Sequence, residues 1–142
     1  MAKVILTHNQ EETKEVGHKL AALLPNGSVV LLRGDLGAGK TTLVRGVADA
    51  LGITEKITSP TFNIMKLYLK GTKPLVHIDA YRLEENNADI GLDEFIGIDK
   101  GLTFIEWPDY IANLIPDNAI NITITNKSDD NREITIEGFN YD

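Results

Sequence analysis

Residues 34–41 read Gly-Asp-Leu-Gly-Ala-Gly-Lys-Thr and match the phosphate-binding pattern G-x-x-x-x-G-K-[ST]. In such a loop, glycines let backbone N–H groups converge on anionic oxygens, Lys40 reaches the outer phosphates, and the Thr41 hydroxyl can bind Mg²⁺. Residues 28–32, Ser-Val-Val-Leu-Leu, predict a buried strand before the loop, and residues 41–51 predict a helix after it. This setting favours an α/β domain that binds a nucleoside triphosphate over a glycine-rich turn that binds nothing.

Two segments are candidates for contact with the nucleotide. The first is the loop with the start of its helix, and its predicted contacts are Asp35, Leu36, Gly37, Ala38, Gly39, Lys40, Thr41 and Thr42. The second is the polar connector at residues 58–61, where many nucleotide switches carry a hydroxyl that senses the γ-phosphate through Mg²⁺. Thr61 is the candidate hydroxyl, although an ordinary turn explains this connector equally well.

Length and charge limit the classes of protein that fit. The chain has 142 residues, which suits one domain over residues 1–142, and no linker divides it. Lys and Arg number 14 against 21 Asp and Glu, so the net charge is −7. This balance argues against a broad basic surface bound directly to RNA or DNA, and any nucleic acid would be held mainly by another subunit.

The sequence also indicates a compartment. It contains no cysteine, which excludes disulfides, thiolate zinc sites and cysteine nucleophiles and fits the cytosol. The first residues, MAKVILTH, lack the apolar core of a signal peptide, and no apolar run approaches the roughly 20 residues that span a bilayer. We therefore expect a soluble cytoplasmic protein without membrane contact.

Hydrophobic patterning predicts a strand at residues 3–6 and then a helix to about residue 24. The helix has two possible capping pairs, Thr7 with Gln10 or Asn9 with Glu12. Its predicted buried stripe is Val16, Leu20 and Leu23. Further strands are predicted at residues 62–69, 75–79, 102–106, 120–125 and 133–137, with a charged helical region at about 88–95. The pattern indicates a three-layer P-loop domain of the α/β class, whose mixed sheet has a parallel core and antiparallel edge strands.

Two acids are candidates for the site that accompanies the loop. Asp79 and Glu106 each end an apolar strand, and open α/β sheets bind ligands at the carboxyl ends of their strands. Mg²⁺ beside Thr41 would need a carboxylate oxygen, and a second carboxylate could orient the attacking water. Each acid alone could be a solvated strand end, but two idle acids are much less expected.

Other residues near these acids have weaker claims. His77 lies inside a strand two residues before Asp79, and a strand histidine is more often packed or hydrogen-bonded, so we leave it out of the predicted site. Trp107 directly follows Glu106, which gives this tryptophan a stronger functional claim than core packing alone would.

Residues 126–129, Asn-Lys-Ser-Asp, match the N-K-x-D motif that recognises guanine. That motif needs a position between a parallel strand and a helix, whereas here it falls between two alternating strands. The D-x-x-G element is also missing, because Asp79 is followed by Ala-Tyr-Arg. Adenine is therefore the better expectation.

Four segments together resemble one family. They are residues 34–42, the Ser-Pro-Thr at 59–61, His-Ile-Asp-Ala-Tyr-Arg-Leu at 77–83 and Ile-Glu-Trp-Pro at 105–108. In this order they look like the bacterial TsaE family, formerly YjeE. The resemblance implies an ATPase needed to make threonylcarbamoyladenosine at position 37 of tRNA. It implies TsaD and TsaB as partners, with tRNA contacted indirectly through them.

The resemblance also implies roles for particular residues. Lys40 would bind the β- and γ-phosphates, Thr41 with Glu106 would hold Mg²⁺, and Asp79 matches the other important acid of the family. Contacts on the adenine side are implied at the start of the first helix and late in the chain, where the nearest matches are Asn9 and Arg132.

The positions of the arginines bear on the expected rate of ATP hydrolysis. Neither Arg45 nor Arg82 is obviously placed as an internal finger, and salt bridges are the more ordinary role for both. Slow hydrolysis by the isolated chain, stimulated by partners, is therefore expected. Two alternatives remain, namely a non-hydrolysing assembly switch and a small P-loop kinase. The kinase is disfavoured because no arginine cluster after Glu106 would supply its lid.

Overall fold

A computed structural model describes residues 2–34, 38–58, 64–81 and 94–141. Its strands are β1 Ala2–Thr7, β2 Val29–Arg33, β3 Met65–Tyr68, β4 Leu75–Asp79, β5 Leu102–Glu106, β6 Ile120–Asn126 and β7 Arg132–Glu137. Its helices are α1 Gln10–Leu23, α2 Lys40–Ala50 and a 3₁₀ helix, Pro108–Leu114. No helix in these ranges is long and apolar enough to cross a membrane.

The strands form one sheet in the order β1-β7-β6-β2-β5-β4-β3. Strands β6, β2, β5 and β4 are parallel, whereas β3 pairs with β4, β7 with β6 and β1 with β7 in antiparallel fashion. Every residue of β4 and β5 is buried, as expected for central parallel strands covered on both faces. Strand β6 instead alternates buried and partly buried residues along most of its length. The predicted mixed sheet is confirmed.

Helices α1 and α2 cover one face of the sheet and enclose the larger core cluster with apolar side chains of β2, β5, β6 and β7. The two helices lie very close together because glycines meet backbone at their crossing. A Cβ at Gly46 would lie 2.2 Å from the carbonyl oxygen of Lys14, and one at Gly17 would lie 2.4 Å from that of Leu43. This close packing fixes α1 against the helix that follows the phosphate loop.

The other face of the sheet is covered by shorter segments. Val29, Leu31, Ile78 and Ile105 pack there against the 3₁₀ helix. Partly buried side chains from residues 95–98 also pack in this layer. The sheet therefore lies between two layers. The predicted helix at 88–95 falls almost wholly outside the described residues, as do residues 59–63.

The first helix settles one alternative and corrects one expectation. The Asn9 side chain accepts a hydrogen bond from the Glu12 backbone N–H at 2.9 Å, so Asn9 with Glu12 is the capping pair. Val16 and Leu20 are buried as predicted, but Leu23 is 41% exposed and its predicted burial is wrong. The helix ends at Leu23, and the extended backbone of Leu24 turns that side chain into the core instead, where it is 2% exposed.

Candidate nucleotide-binding site

The phosphate loop joins β2 to α2 at the carboxyl edge of the parallel strands. Gly39 is the N-cap of α2 with φ of 107°, a left-handed conformation that glycine adopts without a steric cost. Glycine has no side chain that could cap the helix, so Gly39 itself does not occupy the N–H groups of the first turn, which is the place where helices bind anions. Asp35, Leu36 and Gly37 lie outside the described residues, whereas Gly39, Lys40, Thr41 and Thr42 all line one cavity.

Lys40 is buried at 6% exposure and has three neighbours in the site. Its Nζ donates to the Gly34 carbonyl oxygen at 2.7 Å and lies 3.5 Å from Glu106 Oε1. The same nitrogen lies 5.1 Å from the centre of the Trp107 ring. These contacts hold the ammonium group at the mouth of the loop, because a buried charge needs compensating partners.

The two candidate acids lie side by side. Asp79 and Glu106 are register partners at the ends of the parallel strands β4 and β5, and each is 4% exposed. Alternation places both on the α1 and α2 face, since Leu75 and Phe104 of the same parity belong to the core under those helices. The Asp79 side chain accepts a hydrogen bond from the Tyr81 backbone N–H at 3.0 Å, whereas Glu106 lines the cavity.

The environment of Glu106 keeps its carboxylate ionised. Burial by itself raises the pKa of this group. A hydrogen bond from His77 and the charges of His77 and Lys40 outweigh that effect, so the pKa of Glu106 lies below its ordinary value. The bond joins Glu106 Oε2 to His77 Nε2 at 2.7 Å. A carboxylate held ionised beside a phosphate loop can bind a cation or accept a proton.

The cavity at the loop has a volume of about 390 Å³. Its walls come from the start of α1, the start of α2, the end of β5 and the β6–β7 turn. Its lining residues are Asn9, Gln10, Thr13, Gly39, Lys40, Thr41, Thr42, Glu106, Asp130 and Arg132. Asn9 and Arg132, which are far apart in sequence, therefore share one cavity with the phosphate loop.

Both of these distant residues also hold the local structure together. The Asn9 side chain caps α1, as described above. Arg132 Nε donates to the Ala38 carbonyl oxygen at 3.0 Å, and Arg132 Nη1 donates to the Asp129 carbonyl oxygen at 3.1 Å. Arg132 thus ties the β6–β7 turn to the phosphate loop, and its predicted contact with a base remains a prediction.

The oxygen donors in this cavity suit Mg²⁺. Magnesium in nucleotide sites usually takes one or two protein oxygens and completes its shell with phosphate oxygens and water. Thr41 offers a hydroxyl and Glu106 an ionised carboxylate, and both line the cavity next to the phosphate loop. These two residues therefore suit Mg²⁺, which would neutralise negative charge on a bound triphosphate.

Sequence reasoning missed several members of the site. His77 was expected to be hydrogen-bonded, which it is, but its partner is Glu106, a residue of the predicted site. The signal was available, because His77 shares a strand face with Asp79. Gln10, Thr13 and Asp130 of the cavity wall belong to no nucleotide-binding motif and could not be found this way. Thr61 lies outside the described residues.

The guanine-like motif lies where the patterning placed it. Asn126 ends β6, and Lys127 begins the turn to β7 with its backbone N–H donating to the Asn131 carbonyl oxygen at 3.1 Å. The Lys127 side chain pairs with Glu133 at 3.3 Å. The motif thus lacks the strand-to-helix setting that guanine recognition needs.

A parallel-core sheet, a lysine-bearing phosphate loop and paired acids on adjacent strand ends define a P-loop NTPase-like domain. The comparison with protein families is more specific. The profile of the family described as threonylcarbamoyl adenosine biosynthesis protein TsaE matches residues 7–134, and the chain belongs to this family.

Comparisons with individual proteins support the same family assignment. A protein of Bacillus subtilis named tRNA threonylcarbamoyladenosine biosynthesis protein TsaE is 46% identical over 129 residues, covering 91% of this chain and 81% of that protein. A protein of the same name from a Nostoc species is 42% identical over 144 residues, covering 99% and 88%. The crystal structure of Bacillus subtilis YdiB superposes with a TM-score of 0.81 at 38% identity, covering 96% of this chain and 84% of that one.

Proposed function

We propose that this chain binds ATP with Mg²⁺ and hydrolyses it within bacterial tRNA threonylcarbamoyladenosine biosynthesis, as a cytoplasmic partner of TsaD and TsaB. The observation that carries the proposal is the convergence of Lys40 and Glu106, 3.5 Å apart at the phosphate cavity of a TsaE-family chain. The net charge of −7 fits a subunit that contacts tRNA through its partners.

In this proposal the residues at and beside the phosphate loop have separate tasks. The loop N–H groups and Lys40 bind the phosphates, and Thr41 with Glu106 hold the metal. Asp79, beside Glu106 in the register, orients the attacking water. The lowered pKa of Glu106 supports its assignment, because only the ionised carboxylate is a good ligand for a hard cation.

The arginines of the described residues, which do not include Arg82, support slow turnover by the isolated chain. Arg33 Nη1 lies 3.0 Å from both carboxylate oxygens of Asp109, and Arg45 Nε donates to the Ile57 carbonyl oxygen at 3.1 Å. Arg132 Nε donates to the phosphate loop itself. Each of these guanidinium groups already has a structural role, so a finger supplied by a partner, worth ~10³-fold or more in rate, is expected to stimulate hydrolysis.

The decisive experiment measures ATP hydrolysis by the purified chain alone and with TsaD plus TsaB. Lys40→Ala is the matched control, since it removes the phosphate-binding ammonium group and leaves Glu106 in place. We expect weak turnover alone, stimulated turnover with the partners, and none with the variant. Tight ATP binding without turnover in either case would contradict hydrolysis and favour a switch that acts by binding alone.

A further inference from the structure

A buried histidine contacts the acid of the proposed site. His77 lies in the middle of β4, is 0% exposed, and pairs through Nε2 with Glu106 Oε2 at 2.7 Å. We propose that His77 is a positioning residue, which fixes the orientation of the Glu106 carboxylate toward the phosphate cavity. This assignment depends on the proposed use of Glu106 as a ligand for Mg²⁺.

The direction of the hydrogen bond follows from the chemistry of the pair. An ionised carboxylate can only accept, so Nε2 carries the hydrogen and His77 donates. The other ring nitrogen, Nδ1, is buried and has no hydrogen-bond partner within the described ranges. Within the described residues, the imidazole ring of His77 thus makes one hydrogen bond, the one to Glu106. This bond holds the ring and the carboxylate in a fixed relative orientation.

The hydrogen bond from His77 gives the two carboxylate oxygens of Glu106 different surroundings. Oε2 is committed to His77, while Oε1 lies 3.5 Å from Lys40 Nζ, the group at the mouth of the phosphate loop. An unanchored glutamate could rotate about its side-chain torsions, and ordering it would then cost entropy whenever a cation binds. Anchoring one oxygen leaves the other presented to the cavity in advance.

The fold explains why the anchor lies on β4. Strand alternation directs His77 and Asp79 to the same face, and the parallel register places Asp79 opposite Glu106. His77 is opposite Phe104 and therefore diagonal to Glu106, whose carboxylate lies toward the carboxyl ends of the strands. A donor from the loop side would occupy space that a nucleotide needs, whereas a donor from within the sheet does not.

The test compares two substitutions at this position in the full-length chain. His77→Leu removes the donor and keeps an apolar side chain, whereas His77→Gln places an amide N–H near the position of Nε2. Ile78→Val, on the opposite face of the same strand, controls for a general loss of packing in β4. Thermal unfolding shows which variants remain folded under the assay conditions.

The first readout is a Mg²⁺ titration in the presence of a non-hydrolysable ATP analogue. It follows the fluorescence of Trp107, the only tryptophan of the chain, whose ring lies 5.1 Å from Lys40 Nζ. We expect His77→Leu to raise the Mg²⁺ concentration for half-maximal response by ~10–100-fold, the range seen when partners of metal ligands are removed. His77→Gln should recover most of that loss, and Ile78→Val should resemble the parent protein.

The second readout separates kcat from KM in ATP hydrolysis with the partners present. His77→Leu should lower kcat more than it raises KM for ATP, because the phosphate loop and Lys40 remain in place. Identical Mg²⁺ titrations for the parent and His77→Leu would overturn the proposal, as would a His77→Gln protein no better than His77→Leu. If His77→Leu does not fold, His77→Asn replaces it, since the shorter amide reaches toward the Nδ1 position and should fail where Gln succeeds.

A substitution of Glu106 itself distinguishes a failure of the proposed function from a failure of the role proposed for His77. Glu106→Gln should itself weaken the Mg²⁺ response; if it does not, Glu106 is not the metal ligand and the proposed site is wrong whatever His77 does. If Glu106→Gln weakens the response while His77→Leu leaves it unchanged, the proposed site stands and the positioning role of His77 is overturned.

Discussion

Glu106 is a buried acid whose ionisation depends on its neighbours. Desolvation of a group that is 4% exposed favours the neutral form, but His77 and Lys40 reverse the balance. The same neighbours belong to the proposed site, because Lys40 is also the residue proposed to bind phosphate. A substitution at this position is therefore expected to change both the stability of the fold and the binding of a ligand.

The lowered pKa of Glu106 makes a prediction about acid stability. A depressed carboxyl pKa contributes stability that is fully present above the ordinary value of 4.5 and is lost as the pH falls through the folded-state pKa. Glu106→Gln should therefore flatten the fall in the free energy of unfolding below pH 4.5 relative to the parent. Urea unfolding at several pH values measures this, and parallel acid profiles for the two proteins would contradict the assignment.

Asn9 has two separable roles, as a helix cap and as a wall of the cavity. Asn9→Ala should lower the free energy of unfolding by about 1 kcal/mol, because it leaves the Glu12 N–H without its cap. Asn9→Asp keeps a capping oxygen and should preserve stability. If Asn9 also contacts the base, both variants bind ATP more weakly in calorimetric titration; unchanged affinity in Asn9→Asp would limit Asn9 to the cap.

At the scale of elements, the packing of α1 on α2 brings the beginnings of both helices to one cavity. The start of α1 contributes Asn9, Gln10 and Thr13, and the start of α2 contributes the phosphate-loop residues. Neither helix alone forms this cavity. The close approach at Gly17 and Gly46 therefore shapes the cavity as well as the core.

Gly46→Ala tests this approach directly. Its Cβ would meet the Lys14 backbone at 2.2 Å, and a backbone neighbour cannot move aside alone, so the helices must separate. We expect a loss of about 2 kcal/mol or more in the free energy of unfolding, together with weaker ATP binding. Glu15→Ala, on the exposed face of α1, is the control; equal stability of the two variants would mean that the helices do not pack this closely.

At the scale of the whole molecule, binding and folding are linked. A nucleotide that binds only the folded chain stabilises it, by about 2.7 kcal/mol at a ligand concentration 100 times Kd. Because the cavity draws on α1, α2, β5 and the β6–β7 turn, this stabilisation should extend through the domain. We therefore expect the ligand to shift a single cooperative unfolding transition to higher temperature.

Addition of ATP and Mg²⁺ at that excess should raise the unfolding midpoint by several degrees in the parent protein. Lys40→Ala, measured at the same nucleotide concentration, should show little of this shift, because it removes the ammonium group proposed to bind the phosphates. Differential scanning calorimetry gives both values. An equal shift in the two proteins would place the nucleotide somewhere other than the phosphate loop.

Much of the fold could be predicted because its signals are local. The buried runs of β2, β4 and β5 and the alternation of β6 and β7 each follow from a few consecutive residues. Leu23 shows the limit of such reasoning, since periodicity assigned it to the core and the end of α1 turned Leu24 inward instead. Helix ends depend on the chain that follows, which a repeating pattern does not describe.

The sequence by itself determined the phosphate loop, the two acids at strand ends and the two candidate capping pairs of the first helix, because each depends on residues that are neighbours in the chain. The tertiary structure alone decided which distant residues meet. It paired His77 with Glu106, joined Arg132 to the backbone of Ala38 and placed the start of α1 over the loop. These contacts depend on strand order and helix packing, which are set by the burial of the whole core.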